Sequence, residues 1–208
     1  MQLFAYQENP QSFYRPGHPL VCVVDMCGAG IAIAFFWLAH TSVLQFYFLA
    51  MCAMYIVSCV YHWLPHSAVR LRCDHTTIYL LIVCTALPFW VGPLAFSAPQ
   101  LGYWLVATLV LLGVPTFWCA GCSKKRNSLV FLAPTVPFVI HFVIQWSQIG
   151  QPWNTIWMSG TALYALSYAV FFFHWFDFKV DLFGFREMQH FLLLPATTIQ
   201  AYVAYMIL

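Results

Sequence analysis

Long apolar runs alternate with short polar breaks along the whole chain. A helix needs roughly 20 apolar residues to cross a bilayer. Runs of about that length lie at Leu20–Ala39, Ser42–Trp63, Asp74–Leu94, Leu101–Gly121, Ser128–Ser147, Trp153–Trp175 and Glu187–Leu208. The breaks between them carry turn chemistry: Pro65, the SAPQ run ending at Gln100, the SKKRN run ending at Asn127 and the GQP run ending at Pro152. Short connections of this kind join sequential, antiparallel neighbours in a bundle. The pattern predicts an all-α integral membrane protein, a seven-transmembrane helix bundle forming one domain over residues 1–208, with 1–19 as a short amino-terminal segment. Pro88, Pro115, Pro134, Pro137 and Pro195 fall inside predicted spans and are expected to kink them locally, which neighbouring helices tolerate.

Composition gives the physical reason for a lipid environment. Hydrophobic residues make up 62% of the chain and charged ones only 7%, against about 25% charged in a soluble domain. So few charges cannot cover a water-facing surface. The aromatic share, 19%, suits belts at the membrane interface. The net charge of +2 and the lack of a basic stripe argue against a nucleic-acid partner. The first residues lack the basic and apolar regions of a cleavable signal peptide. The eight cysteines lie mostly in apolar runs, as small buried hydrophobes rather than a disulfide framework. Cys119 and Cys122, beside Lys124, form a lone CxxC, a weak redox or zinc signal that also suits palmitoylation.

The charges then orient the spans. All eight lysines and arginines fall on alternate connections: Arg15; Arg70 and Arg72; Lys124, Lys125 and Arg126; Lys179 and Arg186. The positive-inside rule makes these the cytosolic side, with a cytosolic amino terminus and an odd number of spans. The membrane is a plasma or bacterial inner membrane. Oligomeric state is not legible.

Ionisable groups inside spans are costly and therefore point to function. Ser58 and His62 are four apart on one helix face, near the cytosolic end of the second span. Asp74 and His75 open the third span, Arg186 and His190 open the seventh, and Asp25 lies in the first. Neutral imidazoles with a nearby carboxylate form the chemistry of a metal site. Each residue also has a structural reading. His62 and His190 suit headgroup contacts, Asp74 suits a helix N-cap, Ser58 suits a bond to its own helix, and Asp25 suits an interhelical hydrogen bond. His141 reads as a structural hydrogen-bonding residue away from the cluster, and His40 and His174 as interfacial. His66 follows His62 by four, but Pro65 interrupts a shared face.

The segment SCVYHWLPHSAVRLRCDHTTIYLLIVCTALPF resembles the hemolysin III family, within the progestin and adipoQ receptor group of seven-span proteins. Ser58, His62, Asp74 and His75 match that family's Ser-x-x-x-His and Asp-His motifs in type and spacing. The family's final motif, His-x-x-x-His, corresponds here to Arg186 and His190, so one histidine is replaced. The family's amino-terminal motif is also absent, with Val23 and Cys27 near its last two positions. The resemblance implies zinc held by His62 and His190, with Asp74 as general base or orienting group and Ser58 holding an oxyanion or water. Arginine cannot ligate a metal, since it offers only donors. Asp74 or Asp25 would complete the zinc set, or Arg186 would pair with an aspartate in a metal-free lock.

Two functions follow from the resemblance. One is a zinc-dependent hydrolase of a membrane-lipid amide or ester, as related alkaline ceramidases suggest. The other is a non-enzymatic, receptor-like or membrane-homeostasis protein with a degenerate metal site. Pore formation, which the family's name suggests, fits least, because the outer half offers no continuous polar path.

Overall fold

The computed structural model describes residues 18–65, 67–91, 99–119, 124–173, 175 and 184–207, with the side chains of 99 and 124–129 set aside. Arg15, His66, Cys122, His174 and Lys179 lie outside the described residues. The described chain is all helical: α1 (Pro19–Leu38), α2 (Ser42–Trp63), α3 (Ala68–Val91), α4 (Pro99–Cys119), α5 (Lys124–Ile144), α6 (Trp146–Ile149), α7 (Trp153–Phe173) and α8 (Phe185–Ile207). Six of these, α1 to α4, α7 and α8, are long and apolar enough to cross a membrane. The chain is therefore a multi-pass α-helical membrane protein. The fifth expected span corresponds to α5, whose described apolar stretch is Val130–Ile144.

Boundaries match the hydrophobic pattern closely, with two shifts. Helix α3 begins at Ala68, six residues before Asp74, so Arg70 and Arg72 lie in its first turns rather than in a loop. Alanine, arginine and leucine are good helix formers, and arginines at a helix end can reach out to headgroups. Asp74 is therefore not an N-cap but sits in the second turn. Helix α5 likewise begins at Lys124, inside the basic run. Pro88, Pro115, Pro134, Pro137 and Pro195 each lie within a continuous helix.

The helices pack as sequential neighbours, α1 on α2, α2 on α3, α3 on α4, and α7 on α8. Contacts between α1 and α8 bring the first and last described helices together. Glycines permit the close approaches. A Cβ on Gly28 of α1 would lie 2.5 Å from the Tyr55 ring of α2, and one on Gly160 of α7 would lie 3.2 Å from the Ala196 carbonyl of α8. The main core runs through α2, with Tyr47, Phe48, Met51, Met54 and Tyr55 buried against Phe89 and Trp157. A smaller core of Tyr79, Val83 and Phe117 joins α3 to α4.

Candidate functional site

The carboxyl end of α2 and the amino-terminal halves of α1, α3 and α8 meet at one end of the bundle. Short connections force this arrangement, since α1 and α3 run antiparallel to α2. Each helix brings a buried polar group to that end: Asp25 from α1, Ser58 from α2, Asp74 from α3, and Glu187 and His190 from α8.

The rings of His62 and His190 stand edge to face with centroids 5.0 Å apart. His190 Nδ1 lies 2.8 Å from Asp25 Oδ1, so the carboxylate accepts from that nitrogen and leaves Nε2 for another partner. Asp25 is fully buried, and its Oδ2 has no hydrogen-bond partner among the described residues. Asp74 Oδ1 is buried and unpartnered in the same sense. Asp74 lies in the second turn of α3, which packs on α2 at the same end of the bundle. Ser58 is buried one turn before His62. Asp25, Ser58, His62, Asp74 and His190 thus share one region, as the residue pattern predicts.

The structure adds two members that the sequence reading passed over. His18, the residue before α1, donates its backbone N–H to the His62 carbonyl at 3.5 Å. Its ring lies 5.9 Å from that of His62, edge on. Its Nδ1 lies 2.6 Å from Glu187 Oε1. The other oxygen of Glu187 accepts from the Gly184 backbone N–H at 2.9 Å, so this acid also caps α8 from its third position. The signal was present in the spacing. His18 precedes Asp25 by seven residues and Glu187 precedes His190 by three, both one-face separations on a helix.

Other polar residues go elsewhere. His75 turns away from the cluster and faces Phe117 and Phe131, 6.0 and 6.1 Å between ring centres. His141 is buried with Nε2 3.2 Å from the Phe89 carbonyl oxygen, the structural role its position suggests. His40 is exposed at the α1–α2 turn, at the opposite end. The Arg186 guanidinium lies 5.8 Å from the Phe185 ring centre. The described cysteines, Cys119 among them, are free.

The donor set suits a divalent cation. Tetrahedral zinc with Zn–N bonds near 2.1 Å places bound imidazole ring centres about 5 Å apart. The His62–His190 separation of 5.0 Å is of that size. A carboxylate on the far nitrogen of a histidine is the usual outer support of a metal ligand. Asp25, bonded to the His190 ring, keeps one buried oxygen without a partner among the described residues, and so does Asp74 at the same end of the bundle. The ring nitrogens do not already converge: among the described residues no three His, Cys, Asp or Glu side chains surround a common point. Binding therefore requires side-chain rotation within the cluster.

No family model, no curated protein and no solved structure matches the chain.

Proposed function

We propose that the protein is a hemolysin III-like, seven-span membrane protein whose polar cluster forms a zinc-dependent hydrolytic site for a membrane-lipid amide or ester. The amino terminus is cytosolic in this reading, because the lysines and arginines flank the cluster's end of the bundle. The observation that carries it is the His62–His190 pair, rings from two helices with centres 5.0 Å apart, with Asp25 supporting His190 from behind. Three buried carboxyl groups, Asp25, Asp74 and Glu187, come to this end of the bundle, donors that suit a cation. Bound zinc supplies an acidified water and polarises a carbonyl.

The chain's own residues would do the rest. His62 and His190 bind through nitrogens that their other contacts leave open. Asp25 holds the His190 tautomer by accepting at Nδ1. Asp74, with an open Oδ1, accepts the proton of the attacking water, and the Ser58 hydroxyl donates to the developing oxyanion. Substrate reaches the site laterally from the cytosolic leaflet, so that acyl chains stay in lipid.

The two His–carboxylate pairs favour a second reading. His18–Glu187 and His190–Asp25 both tie α1 to α8, so they also suit a lock in a non-enzymatic receptor-like or membrane-homeostasis protein.

Elemental analysis of detergent-purified protein separates the two. The hydrolase reading expects about one zinc per chain, lost in the His62→Ala, His190→Ala double variant, and cleavage of a ceramide-like lipid that disappears with it. No zinc in either protein overturns it in favour of the lock. Arg186→His then tests degeneracy: gain of zinc and of hydrolysis would mark a site that has lost one ligand.

A further inference from the structure

We propose that His18 is the third imidazole of the metal site and takes the part that Arg186 cannot. It acts so only if the cluster is a metal site, as proposed above, but its placement is independent of that reading. Three contacts fix it. The His18 backbone N–H bonds to the carbonyl of His62, joining the start of α1 to the end of α2. The His18 ring stands 5.9 Å from the His62 ring, which in turn stands 5.0 Å from that of His190. Glu187 occupies Nδ1 of His18 at 2.6 Å.

The side chain has no local task that would explain this. His18 occupies the N-cap position of α1, yet its ring makes no capping hydrogen bond there. It reaches a carboxylate 169 residues away instead. The result is a repeated device. His190 with Asp25, and His18 with Glu187, are each a histidine whose Nδ1 is held by a buried acid. In each, Nε2 is the nitrogen left for a metal. His62 lies between them, in ring contact with both.

Side-chain rotation that turns these rings onto a common point would give three imidazoles from three helix ends, with a fourth position for water. That is the open set of a catalytic zinc centre. Helix α8 then contributes one ligand, His190, and one outer acid, Glu187, from adjacent turns. Arg186 is not required to ligate.

The test uses the full chain in detergent, stripped with a chelator and titrated with cobalt(II), whose visible bands report tetrahedral nitrogen ligation. X-ray absorption of the zinc-loaded, unmutated protein counts imidazoles directly. Three imidazoles are expected, with one ion per chain. His18→Gln, which keeps the backbone bond to His62, should weaken binding more than tenfold and shift the cobalt bands. Glu187→Gln should weaken it about 10- to 100-fold, as outer-support substitutions do. His40→Ala, at the opposite end of the bundle, should leave both unchanged.

A count of two imidazoles, with His18→Gln binding cobalt as tightly as the unmutated chain, overturns the assignment of His18 and leaves the metal site standing. An unmutated chain that takes up neither ion overturns both. Because the imidazole count needs no variant, a folding defect in His18→Gln does not decide the matter.

Discussion

The threonines of the α4–α5 half and the polar groups of the α1–α2–α8 half are used in opposite ways, although Trp118 and His141 do reach across to α3. On the α4–α5 side, hydroxyls turn back on their own helices. Thr116 donates to the Leu112 carbonyl at 2.9 Å and Thr135 to the Phe131 carbonyl at 2.8 Å. Such bonds need no neighbour and specify no packing. The surface there is open and apolar, with Leu111 and Leu112 73% and 70% exposed, as lipid-facing residues are. At the α1–α2–α8 end, polar groups cross between helices. His190 meets Asp25, His18 meets Glu187, and the Tyr55 hydroxyl lies 2.5 Å from Thr197 Oγ1. Polarity that crosses between helices ties particular residues together and leaves reactive atoms facing one another. Function should reside in the second half, and stability should respond to substitution accordingly.

The largest effect is expected at the buried pair. Asp25→Ala removes the acceptor of His190 while the imidazole stays in place, and loss of one partner of such a pair costs roughly 3–5 kcal/mol. Thermal unfolding in detergent should show a large drop in midpoint; a drop no bigger than that of a lipid-facing substitution would erase the contrast between the halves. Close packing beneath the cluster comes next. Gly28→Ala puts a methyl group against the Tyr55 ring, and overpacking of this kind costs about 1–3 kcal/mol. Gly30, two residues on, has nothing within 4 Å of its Cβ direction. Gly30→Ala should therefore hold stability or raise it by about 0.5–1 kcal/mol through helix propensity alone. The same melts measure both, and equal effects would mean that α1 does not pack on α2 through Gly28.

Tyr55→Phe deletes one interhelical hydrogen bond and should cost about 1 kcal/mol. Its double-mutant cycle with Thr197→Val should show coupling between the two sites, since they touch. The smallest change belongs to the other half. Thr116→Val removes a hydroxyl that bonds only within α4, and stability should stay within about 0.5 kcal/mol. A larger loss there would mean that the α4 hydroxyl supports packing after all.

Much of this molecule was legible before its structure. A span must be about 20 apolar residues long, so hydropathy alone located α2 to the residue and α1, α7 and α8 to within two at each end. The alternation of basic connections assigned one end of the bundle to Asp25, Ser58, His62, Asp74 and His190, and those five do lie together. The hydropathy reading works because it acts locally: each helix answers to lipid without reference to the others.

What remained hidden depended on which helix faces meet. The sequence predicts Asp74 as a helix cap, but α3 runs back to Ala68 and carries Asp74 into its second turn. His75, adjacent to Asp74, points to a different neighbour because successive helical residues face about 100° apart. His18 sat in a segment assigned to the amino terminus, and Glu187 looked like a span boundary. Only the packing of α1 against α8 brings them within 2.6 Å. The sequence by itself determined that polar groups of the right chemistry gather at one membrane face. The tertiary structure decided which of them touch, because that depends on the order and rotation of helices, and lipid exerts no preference over either.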